Sequence, residues 1–137
     1  MKRILLPVLI ALALTGCMTL AMAVAVAPPA RSVFLGERAV DFKADHDVIG
    51  VGRYNGTFRA LWFQVEKNDV ELFDVVVVYG NGERESFDTR LIFREGSRSR
   101  LLDLQGGRRI IRSIQFAYRT VGTWAEGRAR VVVYGVR

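Results

Sequence analysis

The residues best suited to chemistry in this sequence are arginines, which crowd into one stretch, Arg94–Arg112 (REGSRSRLLDLQGGRRIIR). Arg98 and Arg100 are two residues apart, so their side chains share a face if the stretch is a strand. Two more follow the Gly106-Gly107 turn. Because an arginine guanidinium is a planar fork of donors that fits phosphate and carboxylate groups, the stretch predicts an anion-binding surface made of Arg98, Arg100, Arg108 and Arg109. The alternative is that these arginines pair with carboxylates such as Glu95 and Asp103, since exposed ion pairs are commonplace.

Histidine and cysteine chemistry is poorly represented. His46 is the only histidine, and no Gly-x-Ser-x-Gly elbow accompanies it, so a serine triad is not expected. One histidine and one cysteine also provide no basis for a histidine-rich or cysteine-based metal site. Gly50-Val51-Gly52 leads into a turn and not a helix, which excludes a dinucleotide fingerprint. We therefore expect no catalytic nucleophile, no metal and no cofactor.

Carboxylates provide the one route to an enzyme. A glycosidase needs two of them at a fixed separation, which sequence spacing cannot reveal. A small hydrolase acting on an envelope polymer is thus the alternative to a binding protein, and its candidate carboxylates are Glu71, Glu83, Glu85, Asp88, Asp103 and Glu126. Trp62 and Trp124 could likewise form a sugar-stacking platform, or they could pack partly buried in the domain.

The N-terminus has the layout of an export signal. Lys2 and Arg3 precede an uncharged apolar run, Ile4–Leu14, as in a signal peptide. The tetrapeptide Leu14-Thr15-Gly16-Cys17 resembles the lipobox of bacterial lipoproteins, in which the cysteine is acylated. We assign residues 1–27 to the export signal, with the lipobox-like segment at 14–17, residues 28–31 to a stiff Pro-rich linker, and residues 32–137 to a single domain.

Two other fates of this segment remain open. An ordinary signal peptidase could cut after Ala23 or Ala25 and release a soluble periplasmic protein. Alternatively, Ile4–Ala27 is long enough to remain in the bilayer as an anchor. We predict export to the periplasm, either lipid-anchored through Cys17 or soluble, with membrane contact only through the N-terminal segment.

The net charge indicates the kind of partner. The 137 residues include 20 Lys and Arg against 14 Asp and Glu, a formal charge of +6 that becomes +4 without Lys2 and Arg3. Because the chain is expected to leave the cytoplasm, its partner should not be nucleic acid. We expect an anionic envelope glycan, a lipid headgroup or another envelope protein. The domain beyond Cys17 contains no cysteine and so must be stable without a disulfide.

Short segments rich in valine, isoleucine and aromatic residues alternate with turn signals such as Asn55-Gly56 and Asn81-Gly82. This spacing predicts an all-β fold, a single antiparallel β-sandwich of about eight strands. The predicted strands are Val33–Phe42, Asp47–Gly52, Thr57–Val65, Val70–Tyr79, Glu85–Phe93, Arg98–Leu104, Arg108–Arg119 and Arg128–Val136.

The pentapeptide VVVYG occurs twice, at Val76–Gly80 and Val131–Gly135. It could reflect a duplicated hairpin or a ligand-contacting motif. Valine is stiff at χ1 and favours a buried, pleated surface, so two central strands under the same packing demand would look alike. We interpret both copies as core strands.

Four stretches together resemble a family of small exported bacterial proteins of unknown function: LGERAVDFKADHDVIGVG, FRALWFQVEKNDVEL, VVYGNG and SRLLDLQGGRRIIRSI. The similarity covers Phe34–Val136. It implies a compact β-sandwich behind an N-terminal signal and carries over no catalytic residue. Taken with the residues above, it leads us to expect a non-enzymatic binding or structural module of the cell envelope.

Overall fold

A computed structural model describes residues 27–137, and nearly all of its regular structure is β. Two 3-10 helices, Arg53–Asn55 and Trp124–Glu126, interrupt the strands. The strands are β1 Ser32–Val40, β2 Asp45–Gly50, β3 Thr57–Phe58, β4 Ala60–Glu66, β5 Val70–Tyr79, β6 Arg84–Phe87, β7 Leu91–Phe93, β8 Leu102–Asp103, β9 Arg109–Thr120 and β10 Ala129–Val136. Cys17 and almost all of the predicted export signal lie outside the described residues.

The strands form two antiparallel sheets. The first sheet has four strands in the order β1-β10-β4-β8. The second has six strands, in which β2-β9-β5-β6 form the main path, while β3 pairs with β9 and β7 pairs with β5. The predicted all-β sandwich is therefore confirmed. None of the helices within residues 27–137 is both long and apolar enough to cross a membrane.

Three predicted strands are divided or shortened. Thr57–Val65 is two strands, because the chain changes sheets at Arg59: β3 pairs with β9, whereas β4 pairs with β10. Glu85–Phe93 splits into β6 and β7, and only Leu102–Asp103 of Arg98–Leu104 is a strand. The alternation of apolar and polar side chains is a local property of the sequence, and it does not reveal where a strand changes its pairing partner.

The core lies between the two sheets and contains a chain of aromatic contacts. The ring centroids of Phe63 and Phe93 are 5.0 Å apart, those of Phe63 and Phe116 are 6.2 Å apart, and those of Phe116 and Tyr118 are 5.7 Å apart. Phe63 belongs to the first sheet and the other three to the second. These edge-to-face and stacked pairs join the sheets at the centre of the sandwich.

The two VVVYG copies turn opposite faces to this core. In β5 the core residues are Val77 and Tyr79, whereas in β10 they are Val131 and Val133. When the motifs are aligned, Val77 corresponds to Val132, which is outside the core cluster. A shift of one residue exchanges the faces of a strand, so the motifs share composition but not an arrangement of side chains. Both copies lie in strands with a partner on each side, and the packing interpretation holds.

Candidate anion-binding site

Seven arginines from separate parts of the chain collect at one end of the sandwich, which we call the arginine-rich end. Antiparallel pairing brings the starts of β1, β3 and β9 together with the ends of β2, β5 and β10. The seven are Arg31, Arg53, Arg59, Arg108, Arg109, Arg112 and Arg137.

Backbone and side-chain contacts tie this end together. The Arg137 amide donates to the Arg31 carbonyl at 3.3 Å, and the Arg137 guanidinium donates to the Asn55 carbonyl at 3.1 Å. The carbonyl of Arg112 accepts from the Gly52 amide at 3.3 Å, and its Nη2 donates to the Gly80 carbonyl at 3.2 Å. This end of the sandwich therefore brings together the 3-10 helix Arg53–Asn55, the chain segments at Arg31 and Arg137, and the β5–β6 turn.

Two local backbone features shape the chain at this end: a bulge in β9 and a pair of glycines beside the 3-10 helix Arg53–Asn55. Arg112 is the extra residue of a bulge, because Val78 pairs with Ser113 while Tyr79 pairs with Ile111. Bulges of this kind redirect a side chain and often lie at functional edges. The 3-10 helix is flanked by Gly52 and Gly56, both with φ of 80°, a conformation that favours glycine.

Six of the seven arginines are exposed, and within residues 27–137 none of these six has a carboxylate oxygen within salt-bridge distance. Arg109 is the exception. It is half-buried, pairs with Glu83, and lies over the Tyr79 ring at 3.8 Å. Its hydrogen bond holds the pKa of Glu83 below its usual value. The pKa of the Tyr79 hydroxyl is raised, chiefly by burial and secondly by the hydrogen bond to Glu85. Arg109 therefore stabilises the fold here, while no carboxylate among the described residues neutralises the other six guanidinium groups.

Charge is distributed unevenly between the two ends. The seven arginines outnumber the carboxylates near them, which are Glu83, Glu85 and Asp103. Five of the six ion pairs lie at the opposite end, where arginines are paired with carboxylates: Arg94–Asp69, Arg119–Glu71, Arg128–Asp41, Arg130–Glu37 and Arg130–Glu66. An anionic ligand would be drawn to one end of the molecule.

A shallow cleft of ≈ 320 Å³ opens at the arginine-rich end. Its walls include the guanidinium-bearing Arg108, the polar residues Thr57 and Asn81, and the apolar Ile110. Guanidinium, hydroxyl and amide groups together are suited to the oxygens of a phosphate or carboxylate group. Beside it, Tyr54 projects from the 3-10 helix with 91% of its surface exposed.

The structure divides the four predicted arginines. Arg108 and Arg109 line the cleft described above. Arg98 and Arg100 line a different cleft of ≈ 260 Å³ that also contains Asp88. Arg98 donates to the Ala27 carbonyl at 2.9 Å and lies 5.8 Å from the Trp62 ring, so it contacts the segment that leads into β1. The four do not form one surface, and anion binding by them remains a prediction. Of the other five arginines, Arg112 belongs to the same stretch but was not included in the prediction, and the remaining four are scattered along the sequence.

The candidate carboxylates are mostly engaged elsewhere. Glu71 pairs with Arg119, Glu83 pairs with Arg109, and Glu85 accepts a hydrogen bond from the Tyr79 hydroxyl. Asp88 alone shares a cleft with a second carboxylate, Asp74, which the sequence did not single out. This cleft has a volume of ≈ 680 Å³ and includes Arg90.

His46 and the tryptophans are also separated. His46 lies with Asp74 and Arg84 on the outer face of the six-stranded sheet, in a groove of ≈ 400 Å³. Within residues 27–137, no cluster of three or more His, Cys, Asp or Glu could hold a metal ion. Trp62 is 3% exposed, whereas Trp124 is 76% exposed and lies at the end opposite the arginines. The two tryptophans therefore do not form a joint platform.

Comparison with known proteins places the chain in a family without assigning it an activity. Residues 8–135 match the family described as a domain of unknown function, DUF2541, and the chain belongs to that family. No curated protein and no solved structure matches the chain. The expected membership of an uncharacterised family is thus confirmed, and the arguments for function rest on the geometry above.

Proposed function

We propose that this protein is a non-enzymatic binding module of the bacterial cell envelope that recognises an anionic group through its arginine-rich end. The observation that supports the proposal is the convergence of six exposed arginines that lack carboxylate partners among the described residues. Like charges held together repel one another, and an arrangement of this kind is stabilised when a ligand brings negative charge. Phosphate and carboxylate groups fit the guanidinium fork best.

The partner follows from the predicted destination of the chain. An exported protein held in the periplasm, through Cys17 or free in solution, meets phosphorylated glycans, lipid headgroups and other envelope proteins, and does not meet nucleic acid. Phosphorylated glycans and lipid headgroups present the phosphate or carboxylate groups that fit the cleft at Arg108. The proposal requires neither a cofactor nor a metal.

Retention on phosphocellulose tests the arginine-rich end. The variant Arg53→Gln, Arg59→Gln, Arg108→Gln and Arg112→Gln should elute at clearly lower salt than a control with the same loss of charge. The matched control replaces four exposed cations elsewhere, Lys43, Lys67, Arg90 and Arg100, by glutamine. Equal shifts for both variants would mean that only net charge matters, and the proposal would fail.

A small hydrolase of an envelope polymer is the second candidate, and the shared cleft of Asp74 and Asp88 is the observation that favours it. Two carboxylates can divide the roles of general acid and base. If this is the activity, then Asp74→Asn and Asp88→Asn should each abolish release of soluble fragments from purified cell-wall glycan. Wild-type chain that releases none would exclude this candidate.

A further inference from the structure

A second candidate site lies at the end of the sandwich opposite the arginines, and it consists of a rigidly held, exposed tryptophan. The indole of Trp124 stacks on the Phe42 ring with centroids 3.8 Å apart and an interplanar angle of 20°. Phe42 covers one face of the indole, yet Trp124 remains 76% exposed. The indole face that Phe42 leaves open can therefore stack with a ligand.

The loop that carries Trp124 is fixed from below by a buried side chain. Asn68 is 1% exposed, and its Nδ2 donates to the Thr123 carbonyl at 2.8 Å and to the Gly127 carbonyl at 2.7 Å. These two carbonyls flank the 3-10 helix Trp124–Glu126. The Oδ1 atom of Asn68 accepts a hydrogen bond from the Asp69 amide at 2.9 Å. Because all of these polar groups are satisfied, the loop is held in one geometry before any ligand arrives.

The Phe42 side of the platform is also fixed. The Asp41 carboxylate accepts the Phe42 amide at 2.7 Å, and the Asp41 carbonyl accepts the Thr120 amide at 2.7 Å. Arg128 approaches the same carboxylate at 3.7 Å. The ring stack is therefore bordered by a carboxylate and a guanidinium that are both partly exposed.

We propose that this platform, Trp124 on Phe42 with Asp41 and Arg128 at its border, binds an uncharged sugar ring. One face of a pyranose is lined with C–H groups, which are attracted to the negative face of an indole. Its hydroxyl groups both donate and accept, so they match a carboxylate and a guanidinium side by side. Asp41 and Arg128 neutralise each other at the border of the platform, which suits a neutral ligand.

Other occupants fit the platform less well. A stable protein interface buries about 800 Å² on each partner. The exposed residues beside Phe42 and Trp124 in the sequence are mostly charged or small, namely Lys43, Ala44, Ala125 and Glu126, and Val121 is the larger apolar one. An anionic lipid surface would be repelled by Asp41 and Glu126. The site is separate from the arginine-rich end, and the inference does not depend on the function proposed for that end.

Calorimetric titration of the full chain tests the inference. The chain is kept in a polyoxyethylene detergent, which contains no sugar, and titrated with tetrasaccharides of N-acetylglucosamine and of glucose. Wild type should bind at least one of them. Trp124→Ala should weaken binding by about tenfold or more, and Phe42→Ala should weaken it because the indole loses its backing. Tyr54→Ala removes an exposed aromatic ring from the opposite end and should leave binding unchanged.

Circular dichroism confirms that each variant is folded, which is expected for Trp124→Ala because this side chain is mostly in solvent. The inference is overturned if wild type binds neither sugar at millimolar concentration, or if Trp124→Ala binds as wild type does. It is also overturned if Trp124→Ala abolishes sedimentation with phosphatidylglycerol vesicles instead, because the platform would then be a lipid contact.

Discussion

Asn68 and Gly122 occupy adjoining space so closely that a Cβ atom on Gly122 would lie 1.5 Å from Asn68 Oδ1. The asparagine cannot easily move aside, since three hydrogen bonds hold its amide group. The turn between β4 and β5 is thereby attached to the loop between β9 and β10. This contact joins two connections that are far apart in the chain, and it sets the position of Trp124.

Gly122→Ala should therefore destabilise the domain by about 1–3 kcal/mol, the usual range for overpacking. Asn68→Ala should also be destabilising, because the carbonyls of Thr123 and Gly127 lose their donor. The double variant should be more stable than the sum of the two losses predicts, since removing the Asn68 amide makes room for the new methyl group. Urea denaturation of the three variants measures this coupling, and additive losses would contradict it.

Val77 and Val132 occupy equivalent places in the two VVVYG copies but face opposite ways. Val77→Thr should lower the free energy of unfolding by about 1–3 kcal/mol, because its hydroxyl enters an apolar core without a partner. Val132→Thr should cost less, since Val132 pairs with Gln64 and Glu37 outside the core cluster. Thermal denaturation compares them, and equal losses would show that the faces do not differ.

Tyr118 should make the domain sensitive to alkali. Burial, followed by the 2.7 Å hydrogen bond to Asp47, raises the pKa of this phenol above its ordinary value of 10.0. A phenol whose pKa is higher in the folded than in the unfolded state contributes its full stabilisation at pH values below the unfolded pKa. This stabilisation is lost as the pH rises from the unfolded pKa towards the folded pKa. Stability should thus fall above about pH 10.

Tyr118→Phe should flatten this fall, at a cost of about 1 kcal/mol at neutral pH for the missing hydrogen bond. Tyr54→Phe removes the hydroxyl of a ring that is 91% exposed and serves as the matched control. Unfolding curves between pH 7 and about pH 11 provide the measurement. A profile for Tyr118→Phe as steep as that of wild type would refute the assignment.

Cys17 decides the predicted form of attachment. If it is acylated, more than one acyl chain at about 0.8 kcal/mol per buried methylene is ample for stable membrane attachment. Cys17→Ala should then block lipidation and leave an unprocessed precursor or a chain cut at the alanine sites. Mass spectrometry of the native N-terminus makes the distinction, because an unmodified terminus at Val24 or Val26 excludes a lipoprotein and a retained Met1 indicates an uncleaved anchor.

The sequence alone was sufficient to locate most strands, because alternation of side chains is a local pattern. Val70–Tyr79 was predicted with its observed bounds, and β10 differs from its prediction by one residue at its start. The sequence also indicated that the domain is stable without a disulfide and that VVVYG is a packing motif. These properties depend on the chemistry of neighbouring residues, which can be read directly.

Only the tertiary structure decided which residues meet. Arg31, Arg53 and Arg137 come from separate parts of the chain and become neighbours through strand pairing. The predicted four arginines are instead divided, because Arg98 and Arg100 line one cleft and Arg108 and Arg109 line another. Trp124 likewise owes its position to Phe42 and Asn68, which are distant in sequence. Spacing along a chain does not specify proximity across two sheets, since that depends on strand order and register.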